Sequence, residues 1–117
     1  MTTLYGIKNC DSVRKARQWL ATHDIPYTFH DLRADGLDEA TLYDWAGSMG
    51  WETLLNRRGT TWRKLPEAQR DGIDEPKAIQ WMLENPTLIK RPVLVTNDGQ
   101  THVGFKPADY ESIFQRG

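Results

Sequence analysis

The stretch that decides the fold is Tyr5-Gly6-Ile7-Lys8-Asn9-Cys10-Asp11-Ser12-Val13-Arg14-Lys15. A strand-like apolar run leads into it. A helical pattern leaves it, with Val13, Ala16 and Leu20 spaced to share one face. Cys10 is the only cysteine of the chain. It therefore falls in a tight strand-to-helix connection, at or just before the first helical turn.

This position favours the ionised form of the Cys10 thiol. The first N–H groups of a helix lack internal partners, and the helix dipole adds about half a positive charge there. Lys8, Arg14 and Lys15 add positive charge nearby. Thiols in such settings ionise at a pKa of about 3.5 to 7.5, and the thiolate is the nucleophile. Cys10 is therefore the first candidate for chemistry.

The alternative interpretation is structural. A lone cysteine in a cytosolic protein is most often a small buried hydrophobe. The neighbours of Cys10 are polar on both sides, which argues against burial in an apolar core. The pattern therefore favours the nucleophile.

The composition limits which kinds of protein this chain can be. A chain of 117 residues, 38% hydrophobic and 26% charged, is typical of one globular domain with a modest core. A net charge of −1 gives no electrostatic reason to expect nucleic acid or an anionic membrane as partner. No apolar run approaches a transmembrane length and no signal peptide is evident, so a cytoplasmic location is expected. One cysteine and three scattered histidines show no zinc spacing, so we expect no bound metal or cofactor.

The first half of the chain predicts a βαβ unit followed by helices. A helix is expected at about 12–22 and a strand of alternating pattern at about 27–30. Asp38 is expected to cap a helix, and Asp74 another that has a proline in its first turn. The basic, glycine-interrupted segment 56–64 is predicted to be largely loop. Such a basic run is usually a solvated surface, and the functional interpretation, an anion or peptide clamp, requires Cys10 to lie nearby.

The last part predicts ββα. Val93-Leu94-Val95 is a buried strand, Asn97-Asp98-Gly99-Gln100 is a hairpin turn, and Pro107 begins a closing helix. The order βαβ, helices, ββα is an α/β, thioredoxin-like arrangement around a small mixed sheet. We therefore predict one domain, 1–117, with a helical insertion at about 37–90. Pro92 precedes the third strand and would lie opposite Cys10, with its peptide isomer left open.

Three motifs resemble the ArsC family, the glutathione- and glutaredoxin-dependent arsenate reductase type. The resemblance covers nearly the whole chain, is closest to the YffB branch, and extends to the related Spx regulators. The motifs are Leu4-Tyr5-Gly6-Ile7-Lys8-Asn9-Cys10-Asp11, then Leu54-Leu55-Asn56-Arg57-Arg58-Gly59-Thr60-Thr61-Trp62-Arg63-Lys64-Leu65, then Asn85-Pro86-Thr87-Leu88-Ile89-Lys90-Arg91-Pro92-Val93.

The resemblance implies a thioredoxin fold with a helical insertion and a nucleophile at Cys10. It also implies that Arg91 helps to bind an oxyanion and to lower the pKa of the thiol. The chain differs from true arsenate reductases at four positions where those enzymes carry other residues. A histidine and a serine are replaced by Gly6 and Val13, and two arginines by Asn56 and Lys106.

The resulting hypothesis is a thiol-dependent reductase, with Cys10 and Arg91 as catalytic residues and Pro92 as a structural residue of the site. Glutathione is the expected co-substrate, glutaredoxin an optional partner, and the substrate a disulfide, a mixed disulfide or an oxyanion. The alternative is an Spx-like, protein-binding regulator without turnover. The residues assigned to substrate or anion binding are Lys8, Asn9, Ser12, Arg14, Asn56, Arg58 and Lys106.

Overall fold

The computed structural model of the protein describes residues 2–114. No helix within that range is long and apolar enough to cross a membrane. The elements in chain order are β1 (Thr3–Gly6), α1 (Asp11–Thr22), β2 (Thr28–Asp31), α2 (Glu39–Met49), α3 (Trp51–Leu54), α4 (Thr60–Lys64), α5 (Glu67–Arg70), α6 (Glu75–Glu84), a 3₁₀ turn (Pro86–Leu88), β3 (Val93–Val95), β4 (Thr101–Val103) and α7 (Pro107–Ile113).

The chain forms two compact units. Unit 1 contains the described residues up to Leu32 and from Arg91 onwards, and unit 2 contains Arg33–Lys90. All four strands belong to unit 1, and unit 2 is helical. The assignment of the whole chain to one domain with an insertion at about 37–90 stays a prediction.

The sheet of unit 1 has the strand order β2-β1-β3-β4. β1 runs parallel to β2 and antiparallel to β3, so that Leu4 lies between Phe29 and Leu94. β4 then pairs antiparallel with β3 through the predicted hairpin, where Gly99 takes the positive φ that its turn requires. The mixed sheet predicted from the βαβ and ββα order is confirmed.

The core of unit 1 forms where the apolar stripe of α1 meets one face of the sheet. Ala16 and Leu20 pack in one cluster with Leu4 and Leu94, and all four are fully buried. Tyr110 of α7 joins this cluster. The spacing of three and four along α1 therefore produced the buried face that it predicts.

Unit 2 is organised by two capped helices. The carboxylate of Asp38 accepts a 2.8 Å hydrogen bond from the Thr41 amide at the start of α2. The carboxylate of Asp74 accepts one of 3.1 Å from the Lys77 amide at the start of α6. Both predicted caps are confirmed. The buried residues of the two helices are Leu42, Trp45, Ala46, Ala78, Ile79 and Met82.

The prediction that segment 56–64 is largely loop was wrong, because residues 60–64 form α4. A five-residue helix is not stable alone, so contacts within unit 2 must hold it. The Thr61 hydroxyl lies 2.7 Å from the hydroxyl of Thr87, 26 positions away. The Arg63 guanidinium also donates a 2.9 Å hydrogen bond to the Arg58 carbonyl. Neither contact is visible in the local pattern.

Candidate active site

Cys10 is the N-cap residue of α1. Its backbone is extended, with φ −114° and ψ 125°, and its carbonyl accepts the first helical hydrogen bond, 3.0 Å from the Arg14 amide. The side chain is half-buried. The strand-to-helix connection predicted for Cys10 is therefore present, and it places the sulfur beside the open N–H groups of the first turn.

Opposing influences act on the pKa of the Cys10 thiol. Desolvation by burial is the largest and raises it, because it disfavours the charged form. The Val13 amide, the guanidinium of Arg91 and the Ser12 amide all lower it, and Arg91 does so both by donating a hydrogen bond and by its charge. The sulfur makes no conventional capping hydrogen bond. Even so, these groups together outweigh burial and leave the pKa below the ordinary 9.0.

Arg91 reaches Cys10 because of the sheet. β3 pairs with β1, and Arg91-Pro92 immediately precedes β3. The Arg91-Pro92 peptide bond is cis, Pro92 is buried, and the Pro92 carbonyl accepts a 2.8 Å hydrogen bond from the Gly104 amide. The structure thus brings Arg91 to Cys10, as the strand order leads one to expect, and Pro92 follows Arg91 immediately before β3.

The other candidate residues of unit 1 are exposed. Lys8 and Asn9 lie in the turn before α1, and Lys106 precedes α7 as its N-cap residue. The guanidinium of Arg14 forms a 2.8 Å ion pair with the carboxylate of Asp11. Its charge is therefore partly neutralised before it can act on the thiol.

Asn56 and Arg58 belong to unit 2, where they shape their own loop. The Asn56 side-chain oxygen accepts a 3.1 Å hydrogen bond from the Arg58 amide. The guanidinium of Arg57 lies 5.9 Å from the ring centre of Trp51 and 5.6 Å from that of Trp62, within cation–π range. Anion binding by Asn56 and Arg58 stays a prediction.

The sequence predicts that the open N–H groups of the first helical turn favour the Cys10 thiolate, but it does not single out the backbone amide of Val13. The pattern marks Val13 only as a core residue and as a departure from the arsenate reductases. The available indication was its position three residues after an N-cap, where an amide points towards the cap side chain. Within residues 2–114, no cluster of three or more His, Cys, Asp or Glu side chains is arranged to hold a metal ion.

Known proteins share this architecture. A solved structure described as a YffB protein is 51% identical to this chain, covers 96% of it and 97% of its own chain, and superposes with a TM-score of 0.89. An arsenate reductase (ArsC) related protein from Brucella melitensis is 53% identical over 98% of this chain and 95% of its own, with a TM-score of 0.78. The global transcriptional regulator Spx of Listeria innocua is 29% identical over 99% of this chain and 88% of its own.

The fold is thioredoxin-like, with a mixed four-stranded sheet and a helical insertion. The model of the ArsC family matches residues 5–113, from the start of the cysteine stretch to the end of α7. The chain belongs to the ArsC family.

Proposed function

We propose that this protein is a thiol-dependent reductase in which Cys10 is the nucleophile and glutathione resolves the covalent intermediate. The observation that carries the proposal is the setting of Cys10, where a cationic guanidinium and two helix amides converge on one sulfur and lower its pKa. An inert structural cysteine needs no such setting. The similarity to an arsenate reductase related protein supports the same class of reaction.

The proposed reaction is a pair of thiol–disulfide exchanges. The Cys10 thiolate attacks one sulfur of a disulfide, a new bond joins Cys10 to that half, and the other half leaves as a thiolate. A glutathione thiolate then attacks the mixed disulfide, releases Cys10 and leaves as a mixed disulfide with the first half. A second glutathione, directly or through glutaredoxin, completes the reduction and yields oxidised glutathione. Arg91 and the Ser12 and Val13 amides stabilise each sulfur anion that develops at Cys10.

The substrate class follows from the charged groups of the site. The guanidinium of Arg91 can bind a carboxylate or an oxyanion through two parallel hydrogen bonds. Gly6, Val13, Asn56 and Lys106 stand where arsenate reductases carry other groups, and lysine lacks the planar fork of arginine. We therefore propose disulfides or glutathione mixed disulfides as preferred substrates and expect only weak turnover of arsenate. A cytoplasmic location would keep glutathione reduced and available.

The test follows glutathione-dependent reduction of a small mixed disulfide by the wild-type protein and by Cys10→Ser. We expect turnover only with wild type, and a covalent glutathione adduct on Cys10 in intact-mass spectra when the second thiol is withheld. Wild-type turnover no faster than that of Cys10→Ser would overturn the proposal. Arsenate reduction that exceeds disulfide reduction would overturn the substrate preference.

A second candidate function is an Spx-like, protein-binding regulator, which the similarity to Spx over nearly the full chain favours. The Spx pattern places a second cysteine three residues after the first, and this chain has Val13 there. An internal disulfide switch is therefore impossible with one cysteine. A pull-down from cell extract with wild type and Cys10→Ser separates the two functions. A partner retained equally by both proteins favours the regulator, and a mixed disulfide lost in Cys10→Ser favours the reductase.

A further inference from the structure

Gly6, the last residue of β1, lies directly against Val13 in the first turns of α1. A Cβ atom at Gly6 would meet the two methyl groups of Val13 at 2.6 and 2.8 Å and its Cβ at 3.3 Å. The backbone of Gly6 does not have a positive φ. Glycine is therefore required here by the close approach of Val13, and not by backbone conformation.

Val13 cannot move away to admit a side chain at position 6. Its side chain is 1% exposed, and because it is β-branched, every rotation about χ1 leaves at least one methyl group facing position 6. Gly6 is also held in place, because it pairs with Asp31 in the sheet and its carbonyl accepts a 2.8 Å hydrogen bond from the Leu32 amide. A side chain at position 6 would instead displace the start of α1.

The displaced segment carries the amides that face the thiol. Val13 and Ser12 lie in the first turn of α1, which Cys10 precedes as the N-cap residue, and their amides lower the pKa of its thiol. We propose that Gly6 is a positioning residue. Because it has no side chain, Val13 can pack the first turn of α1 against the end of β1, and this packing holds the two amides near the Cys10 sulfur. This inference rests on the proposed role of Cys10 as nucleophile.

The experiment is a cycle of Gly6→Ala, Val13→Ala and the double variant, each titrated by thiolate absorbance and by the rate of iodoacetamide labelling against pH. In Gly6→Ala we expect the midpoint to rise and the labelling rate at pH 7 to fall by about twofold to tenfold, the range of one net hydrogen bond. In the Val13→Ala background, the Gly6→Ala change should have a much smaller effect, because the two closest methyl groups are gone and only the contact of 3.3 Å with the Cβ of residue 13 remains.

Gly47→Ala is the matched control for adding a methyl group to a glycine. Gly47 is exposed in α2, and nothing lies within 4 Å of the position of its Cβ. We expect its titration curve to superimpose on that of wild type.

Each outcome bears on the inference. A Gly6→Ala titration curve identical to that of wild type would overturn the inference. The inference would also fail if Gly6→Ala shifted the midpoint by the same amount in the Val13→Ala background as in wild type. If Gly6→Ala fails to fold and the double variant folds, the contact is supported, whereas a double variant that also fails to fold overturns it. The titration needs no glutathione and does not measure turnover. If the protein showed no reductase activity, the titration would still test the role of Gly6 separately.

Discussion

Cys10 is held between burial and a set of groups that favour its charge. Half-burial alone would raise the pKa of the thiol, and the Val13 amide, Arg91 and the Ser12 amide reverse that effect. Among them only Arg91 is a side chain, so it alone can be removed without touching the helix. Substitution of Arg91 therefore shows how much of the lowering of the Cys10 pKa depends on its guanidinium.

We predict that Arg91→Ala raises the pKa of Cys10 and slows its alkylation at neutral pH. The thiol is the neutral form, so loss of a neighbouring cation favours it, and the absorbance midpoint moves up towards the ordinary 9.0. Arg91→Lys should recover part of the shift through its charge, but not bidentate anion binding. The measurement is thiolate absorbance against pH. Superimposable curves for the three proteins would contradict the prediction.

Tyr110 presents a different residue-level case. It is 1% exposed, its ring meets those of Trp19 and Phe105 edge-on, and burial raises the pKa of its phenol. Within residues 2–114 its hydroxyl has no hydrogen-bond partner. A buried hydroxyl without a partner costs about 1–3 kcal/mol.

We therefore predict that Tyr110→Phe keeps the aromatic packing and raises the free energy of unfolding by about 1 kcal/mol. Urea denaturation measures it, with Tyr43→Phe as control, because Tyr43 is the exposed tyrosine at 37%. A destabilised Tyr110→Phe, with Tyr43→Phe unchanged, would mean that the hydroxyl does have a partner in solution.

At the scale of elements, the helices of unit 2 depend on their caps. Asp38 and Asp74 each occupy one amide that the helix itself leaves open. We predict that Asp38→Ala and Asp74→Ala each lower the free energy of unfolding by about 1 kcal/mol.

Thermal or urea unfolding checks this prediction against Asp44→Ala, which removes an exposed carboxylate from the middle of α2. The control should be neutral or slightly stabilising, because alanine is the better helix former. Equal losses in all three variants would show that charge, and not capping, is responsible.

At the scale of the whole molecule, the stability of the sheet depends on the apolar packing between its two central strands, β1 and β3. Leu4 and Leu94 face each other across β1 and β3, and both are fully buried. We predict that Leu94→Ala lowers the free energy of unfolding by about 2–5 kcal/mol, through lost burial and a cavity.

Urea denaturation measures this loss, with Leu65→Ala as control because Leu65 is only half-buried and outside the sheet. Leu4→Ala combined with Leu94→Ala should cost less than the sum of the two, because the side chains share one cavity. Strict additivity, or a Leu94→Ala loss no larger than the control, would contradict the packing described.

The sequence by itself determined the βαβ and ββα order around the helices, the caps at Asp38 and Asp74 and the position of Cys10 at a helix start, since periodicity and capping are local. The predicted strand order also indicated that Arg91 would lie near Cys10, and the pairing of β1 with β3 brings the two residues together. Only the tertiary structure made residues 60–64 helical and set Gly6 against Val13. These features depend on contacts across the chain and on how closely the backbone approaches, and neither is encoded in the spacing of residues along one segment.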